Sequence, residues 1–304
     1  MNSTMEAQSS NGLLKHDIDQ RESSPLRAPM AEARETVIEA RSGWQVIDVE
    51  ELWLYRELLI FLTWRDIKVR YKQTVLGAAW AMLQPLATMI VFSLFIGKVA
   101  AGSSSQIPYS LFVFAGLLPW IFFANAIGSA GQSVVGSQNL VTKVYFPRLL
   151  IPVGAVGAGL VDFAIGSTLL ISLMLYHGII PGVGLLLAGP IVLGLLAAAL
   201  GMGVLLSALT VAYRDFRYVV PFLVQFWMFA TPSIYMQANA GSPRWRPLLS
   251  LNPAQGLIAN FRLAVLGQPL DFSSLVISST TGLALLLVGC FYFRRVERTF
   301  ADLI

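Results

Sequence analysis

Two long stretches of this chain carry no charge at all. No Asp, Glu, Lys or Arg falls between Lys98 and Lys143, a run of 44 residues, or between Asp162 and Arg214, a run of 51. His177 is the one ionisable side chain of note inside them. A soluble fold cannot bury so much apolar chain without polar residues to cover it. The composition points the same way: 56% of residues are hydrophobic and 12% charged, against about 45–50% and 25% in a typical soluble domain. With a mean hydropathy of +0.66, the chain reads as an all-α integral membrane protein.

Six segments suit a bilayer crossing, which needs roughly 20 apolar helical residues. They are Leu76–Gly97, Tyr109–Ala130, Leu149–Tyr176, Gly184–Leu206, Tyr218–Met236 and Phe272–Phe293. The run His177–Gly184, with Gly178, Pro181, Gly182 and Gly184, is turn chemistry. It divides the longer uncharged stretch into a helical hairpin. Pro85, Pro119 and Pro232 fall inside spans, where neighbouring helices can satisfy the freed carbonyls.

Residues 1–45 are rich in Ser, Glu, Ala and Arg without a sustained apolar period, and are expected to be a disordered cytoplasmic tail. No basic segment followed by an apolar core opens the chain, so no cleavable signal peptide is expected. The membrane domain then covers 46–304. It begins with a short amphipathic segment, 50–73, whose apolar heart is interrupted by Arg56 and Glu57 and is too short to cross. Leu54, Leu58 and Leu62 recur at four, and Arg56, Thr63 and Arg70 at seven. This suggests a helix in the headgroup layer with Arg65, Lys68, Arg70 and Lys72 toward phosphates. An amphipathic helix packed on its own protein fits the pattern equally well. Toward the other end, 237–271 is apolar but is broken by Asn252-Pro253. Neither piece can cross, so a re-entrant or interfacial pair is expected.

Placing both termini in the cytoplasm puts 17 of the 21 Lys and Arg inside and leaves Lys98, Arg244, Arg246 and Arg262 outside. That asymmetry sets the orientation. The basic residues flank apolar runs instead of forming a patch, which argues against nucleic acid as a partner.

Catalytic chemistry is hard to find. Cys290 is the single cysteine, and the two histidines, His16 and His177, are far apart. No disulfide or His/Cys metal centre is therefore expected. No phosphate loop occurs, since Gly97-Lys98 lacks the upstream glycine. Asp162 is the one acid within a span. It could carry a proton, or it could hydrogen-bond across a helix pair; proton-driven transport usually needs several such groups in relay. Small residues crowd the third and fourth spans (Gly154, Gly157, Gly159, Gly166; Gly194, Ala198, Gly201, Gly203), so these spans should pack closely against protein. Trp120, Phe122 and Phe123, with Phe226, Trp227 and Tyr235, could form interfacial belts and packing. They could also line a passage and stack against sugar faces.

One run is specific: Arg65-Asp66-x-Lys68-x-Arg70-Tyr71, then Leu76-Gly77, Trp80 and Gln84-Pro85. Tyr213-Arg-Asp-Phe-Arg217, Thr231-Pro232 with Tyr235, Leu251-Asn-Pro253, Phe261-Arg262 and Leu266-Gly267 follow in order. Over residues 45–304 the chain resembles the ABC-2 type permeases that export polysaccharides, namely the O-antigen, capsule and teichoic-acid exporters. The long tail before residue 45 departs from that pattern.

The resemblance implies a homodimer in a bacterial inner membrane. Each protomer would contact one of two separate cytoplasmic ABC ATPase subunits, which bind the ATP and Mg; no cofactor is implied for this chain. It implies a gate helix at 50–72. Arg56, Arg65, Lys68, Arg70 and Lys72 are the densest basic cluster of the chain and could meet the diphosphate, or could serve only to set orientation and bind anionic lipids. It further implies a coupling loop near Gly131–Pro147 that docks on the ATPase through Leu140, Lys143, Val144, Tyr145 and Phe146, and re-entrant outer helices at 237–271. The substrate would be a polyprenyl-diphosphate-linked polysaccharide, surrounded by membrane lipids. An ABC-2 exporter of lipids or drugs is the alternative within the superfamily. An ion-coupled transporter and a membrane-bound glycosyl- or acyltransferase are the alternatives outside it, and the absence of paired acids weighs against both.

Overall fold

The computed structural model describes residues 49–72, 77, 79–95, 107–179, 182–231, 249 and 251–300. The fold is that of the unit Gln45–Ile304. The tail at 1–45, Tyr235 and most of the first half of the 237–271 segment lie outside the described residues.

Among the described residues the chain is helical throughout, with no strand. Short α1 (Val49–Leu54) and α2 (Arg56–Tyr71) precede α3 (Ala79–Phe95) and the long α4 (Tyr109–Gly136). A single short helix, α5 (Gln138–Lys143), joins α4 to α6 (Leu150–Tyr176). Then come α7 (Leu185–Ala212), α8 (Phe216–Phe229), α9 (Pro253–Val265) and α10 (Phe272–Glu297).

Four of these, α4, α6, α7 and α10, are long and apolar enough to cross a membrane. The apolar helices α3 and α8 have 17 and 14 residues. At 1.5 Å per residue they reach about 25 and 21 Å, short of a hydrocarbon core of about 30 Å. The expected fifth span, Tyr218–Met236, is therefore not one continuous helix. The helix within it stops at Phe229, Thr231 N–H returns to the Met228 carbonyl at 3.1 Å, and Thr231 precedes Pro232, which disfavours helical backbone at the residue before it.

Helix α4 occupies the centre. It packs on α6 and α7, and touches α3, α8 and α9 as well. Phe114, Phe123, Ile127 and Ala130 along it are buried. Helix α10 lies along α7, and α9 is wedged against both. The α7–α10 crossing has no room for side chains: a Cβ on Gly289 would stand 2.3 Å from the Gly201 carbonyl oxygen, and one on Gly201 2.4 Å from Leu286 N. Across α6 and α7 the small residues admit neighbours as the spacing predicts, with Leu118 over Gly166 and Leu257 over Gly194.

The turn between α6 and α7 begins with a Schellman motif. Gly178 adopts φ +70°, its N–H reaches the Leu175 carbonyl at 3.0 Å, and Ile179 N–H reaches that of Met174 at 2.9 Å. Positive φ suits glycine because it has no Cβ, so the hairpin forms where the turn residues predict.

Helix α9 starts at the expected break. Asn252 caps it, accepting from Ala254 N at 3.0 Å, and Pro253 occupies the first turn, where its missing N–H costs nothing. Asn252 also accepts from Trp227 Nε1 at 2.9 Å and donates to Thr231 Oγ1 at 2.9 Å, tying the end of α8 to the start of α9. Most of α9 is buried in protein. Arg262, counted among the outer cations, is one of the buried residues of this helix. It is 2% exposed, and its guanidinium lies 3.8 Å over the Phe112 ring, an aromatic face that offers a desolvated cation attraction.

Candidate functional site

Successive residues on α2 are rotated by 100°, so the helix has two distinct faces. One, with Leu59, Leu62, Thr63, Asp66 and Arg70, turns toward the protein, and Leu62 is fully buried. It rests on α6 where two glycines leave room. A Cβ on Gly154 would come 3.3 Å from Leu62 Cβ, and one on Gly157 3.3 Å from Thr63. The other face exposes Ile60, Phe61 and Trp64 together with Arg56, Lys68 and the C-cap Lys72, and Trp53 at the end of α1 is exposed beside it. Thr63 and Arg70 thus turn toward the protein, because the close approach to α6 brings their side of the helix inward.

The five basic residues of the segment are divided accordingly. Arg70, at the C-terminal end of α2, donates to Asp162 Oδ2, and the neighbouring Tyr71 hydroxyl donates to Oδ1 of the same carboxylate. Arg70 also reaches Ser129 Oγ on α4 at 3.4 Å. The Asp162 side chain is 18% exposed and that of Arg70 31%. Asp162 on α6 is thus bonded twice to α2, and Arg70 carries the link on to α4. Burial, followed by the hydrogen bond and charge of Asp162, pushes the Tyr71 phenol up to about 12, so Tyr71 is a proton donor at any physiological pH.

Arg65 is paired locally, with Nη2 2.8 Å from Asp66 Oδ1, and the same Nη2 reaches Ser137 Oγ at 3.4 Å. Ser137 is the residue that precedes α5, so Arg65 links α2 to the start of that helix. Arg56 lies 5.5 Å from the ring of Trp53 on α1, and Lys68 5.4 Å from that of Trp64 on α2 itself. With Lys72 they are the cations left on the outer face.

Where α2, α3, α4 and α6 meet they enclose a half-open cavity of about 440 Å³. Arg70, Tyr71 and Asp162 form one wall; Trp80 and Gln84 of α3, Phe122 and Asn125 of α4, and Phe163 of α6 are among the other lining residues.

The aromatic residues expected along a passage fall into different environments. Phe122 lines this cavity and packs on Phe163, ring centroids 5.6 Å apart. Trp120 and Phe123 are buried inside the protomer, and Trp227 meets Phe123 edge-on at 5.3 Å. These three rings pack on one another within the chain. Phe226 is exposed on α8, stacked on Phe222 at 6.5 Å.

The α4–α6 connection is likewise split. Lys143, Val144 and Tyr145 point outward and Leu140 is partly covered, with Tyr145 69% exposed. Phe146, expected to be a contact for a partner, is 6% exposed. It belongs to a core with Leu62, Leu150, Val204 and Phe293, because a phenyl ring at the foot of α6 has apolar helices to bury against. Next to it, Arg148 N–H donates to Glu297 Oε1 at 3.2 Å, and its guanidinium donates to the Glu297 carbonyl. The exposed residues therefore sit on a loop whose base is anchored to the end of α10.

Asp162 and Arg70 each stand out in the sequence, but no local pattern pairs them, and Asn125, Ser129 and Glu297 carry no motif of their own. The lone acid in an apolar span was the available signal for the pairing, since such a group needs a partner.

Residues 57–266 match the family model of the ABC-2 type transporter. The O-antigen export system permease protein RfbA of Myxococcus xanthus is 31% identical over 256 residues, covering 84% of this chain and 98% of that protein. The protein of the same name from Klebsiella pneumoniae is 27% identical, covering 82% and 95%. The polysialic acid transport protein KpsM of Escherichia coli is 28% identical over 103 residues, 33% of this chain and 36% of that one. An apolar helical bundle, a short helix bound along α6 and these matches over most of the chain agree: the chain belongs to the ABC-2 type transporter family.

Proposed function

We propose that this chain is the membrane subunit of an ATP-driven exporter that moves a polyprenyl-diphosphate-linked polysaccharide out of the cytoplasm. The observation that carries the reading is the similarity, across nearly the full length of the relative, to a permease named for O-antigen export. The protein acts as a homodimer in a bacterial inner membrane, with both termini cytoplasmic. Six crossings per protomer would be made by α4, α6, α7 and α10 with α3 and α8 as shorter members, and α9 with the segment before it would form the re-entrant pair.

ATP and Mg belong to two separate ATPase subunits, which dock on the α4–α6 connection. Val144 and Tyr145 are apolar groups held outward on an anchored loop, which suits insertion into a partner's cleft. Lys143 and the partly covered Leu140 flank them, while Phe146 supports the loop from within. Arg65, bonded to Ser137, gives this loop a direct contact with α2.

The outer face of α2 is the receiving surface for the lipid diphosphate. Arg56, Lys68 and Lys72 stand there among exposed tryptophans, the residue mixture of a headgroup-level helix. Each cation near an anionic surface contributes about 1 kcal/mol. Arg65 and Arg70, already paired with carboxylates, hold the helix in place.

The reading is tested by deleting the gene and restoring it on a plasmid. Loss of cell-surface polysaccharide with accumulation of its lipid-linked form inside, reversed by the wild-type gene, is the expected result. Intact surface polysaccharide alongside a missing lipid or increased drug sensitivity would instead assign the chain to another exporter class.

A further inference from the structure

We infer that the cavity between α2, α3, α4 and α6 is a saccharide subsite, which takes the sugar joined to the diphosphate while the diphosphate stays on the outer face of α2. This rests on the proposed polyprenyl-diphosphate substrate and adds a division of that substrate between two places.

The cavity's volume of about 440 Å³ lies within the range of about 300–1,000 Å³ usual for small-molecule pockets. Its lining combines two kinds of group. Trp80 and the half-buried Phe163 line it with ring surface, backed by the buried Phe122, and such rings pack against the C–H surfaces of a pyranose. Gln84 and Asn125 offer amides, each able to donate and accept, and neither side chain makes a hydrogen bond among the described residues. Trp80 is half exposed and Gln84 exposed, so the cavity can be reached from outside the bundle.

Charge decides what fits. Arg70 would suit a phosphate, but its guanidinium is already matched by Asp162, and a diphosphate brought into the cavity would face that carboxylate. A neutral polyhydroxylated ring meets no such repulsion. Its hydroxyls can donate to Asp162 and accept from Arg70 and Asn125, using the ion pair as both acceptor and donor. The outer face of α2 offers the complementary setting, with Arg56, Lys68 and Lys72 free of any salt bridge among the described residues.

The test uses the full chain in lipid nanodiscs with its ATPase partner. Two probes are titrated: a polyprenyl diphosphate bearing a single hexose or N-acetylhexosamine, and the same polyprenyl diphosphate without sugar. Wild type should bind at least one glycosylated probe about tenfold more tightly. In the double variant Gln84→Ala/Asn125→Ala that advantage should disappear while affinity for the sugarless probe is unchanged, which also shows the variant to be folded. Lys68→Gln/Lys72→Gln should weaken both probes by the same factor. Equal binding of the two probes by wild type, or a double variant that keeps the sugar advantage or weakens both probes alike, overturns the subsite and leaves the diphosphate substrate standing. Failure of wild type to bind either probe removes the substrate reading and the subsite together.

Discussion

Arg70 and Asp162 lie 92 positions apart in the chain and share a hydrogen-bonded ion pair that fastens the end of α2 to the middle of α6. Both side chains are largely shielded, so each is the other's replacement for water. Removing either should leave an unsatisfied polar group, at a cost of about 1–3 kcal/mol. Thermal unfolding in detergent of Arg70→Ala, Asp162→Ala and the double variant measures the coupling. The double variant should be less destabilised than the sum of the two, and strict additivity would mean the pair is not a functional unit.

Tyr71 completes the same junction and has a pH signature. Its phenol is raised from 10.0 to about 12, by burial first and by Asp162 second. A folded pKa above the unfolded one means that the stabilisation is whole below pH 10 and is lost as the pH climbs through 12. The difference in tyrosinate absorbance between wild type and Tyr71→Phe should report a group titrating near 12. In Asp162→Asn the value should fall toward 10 while staying above it, since burial remains. An unchanged midpoint would exclude Asp162 as a cause.

Neighbouring aromatics in the α4–α6 connection should respond differently to truncation. Tyr145→Ala should abolish export and change the unfolding temperature little, because surface substitutions usually stay within about 0.5 kcal/mol. Phe146→Ala should cost about 3–5 kcal/mol and lose export through loss of folded protein. Stability measurements set beside export assays separate the two. A stable, export-deficient Phe146→Ala would return that residue to the docking surface.

The bundle itself was legible because bilayer-length apolar runs, turn glycines and small-residue spacings are local signals. The hairpin at Gly178 and the start of α9 at Asn252-Pro253 fall where those signals put them. The division of the basic residues on α2 was partly readable, since Arg70 stands about 160° around the helix from Lys68 at 100° per residue. The partner of Arg70 was not, because no local pattern connects position 70 to position 162. Phe146 shows the same gap: a short apolar motif next to Tyr145 has no period from which to tell the buried ring from the exposed one. The early end of α8 came from backbone chemistry at Thr231-Pro232 that an average over apolar residues does not register.

The central claim is that this chain moves a glycan only together with an ATPase. Proteoliposomes containing the purified chain and an ABC ATPase subunit from the same organism, loaded with a polyprenyl-diphosphate-linked polysaccharide on the nucleotide-accessible face, test it most directly. Glycan should reach the opposite face when both subunits and hydrolysable ATP are present, and should stay put when the ATPase is omitted or a non-hydrolysable analogue is supplied. Transfer by the chain alone, or transfer driven by an ion gradient without ATP, would contradict the account.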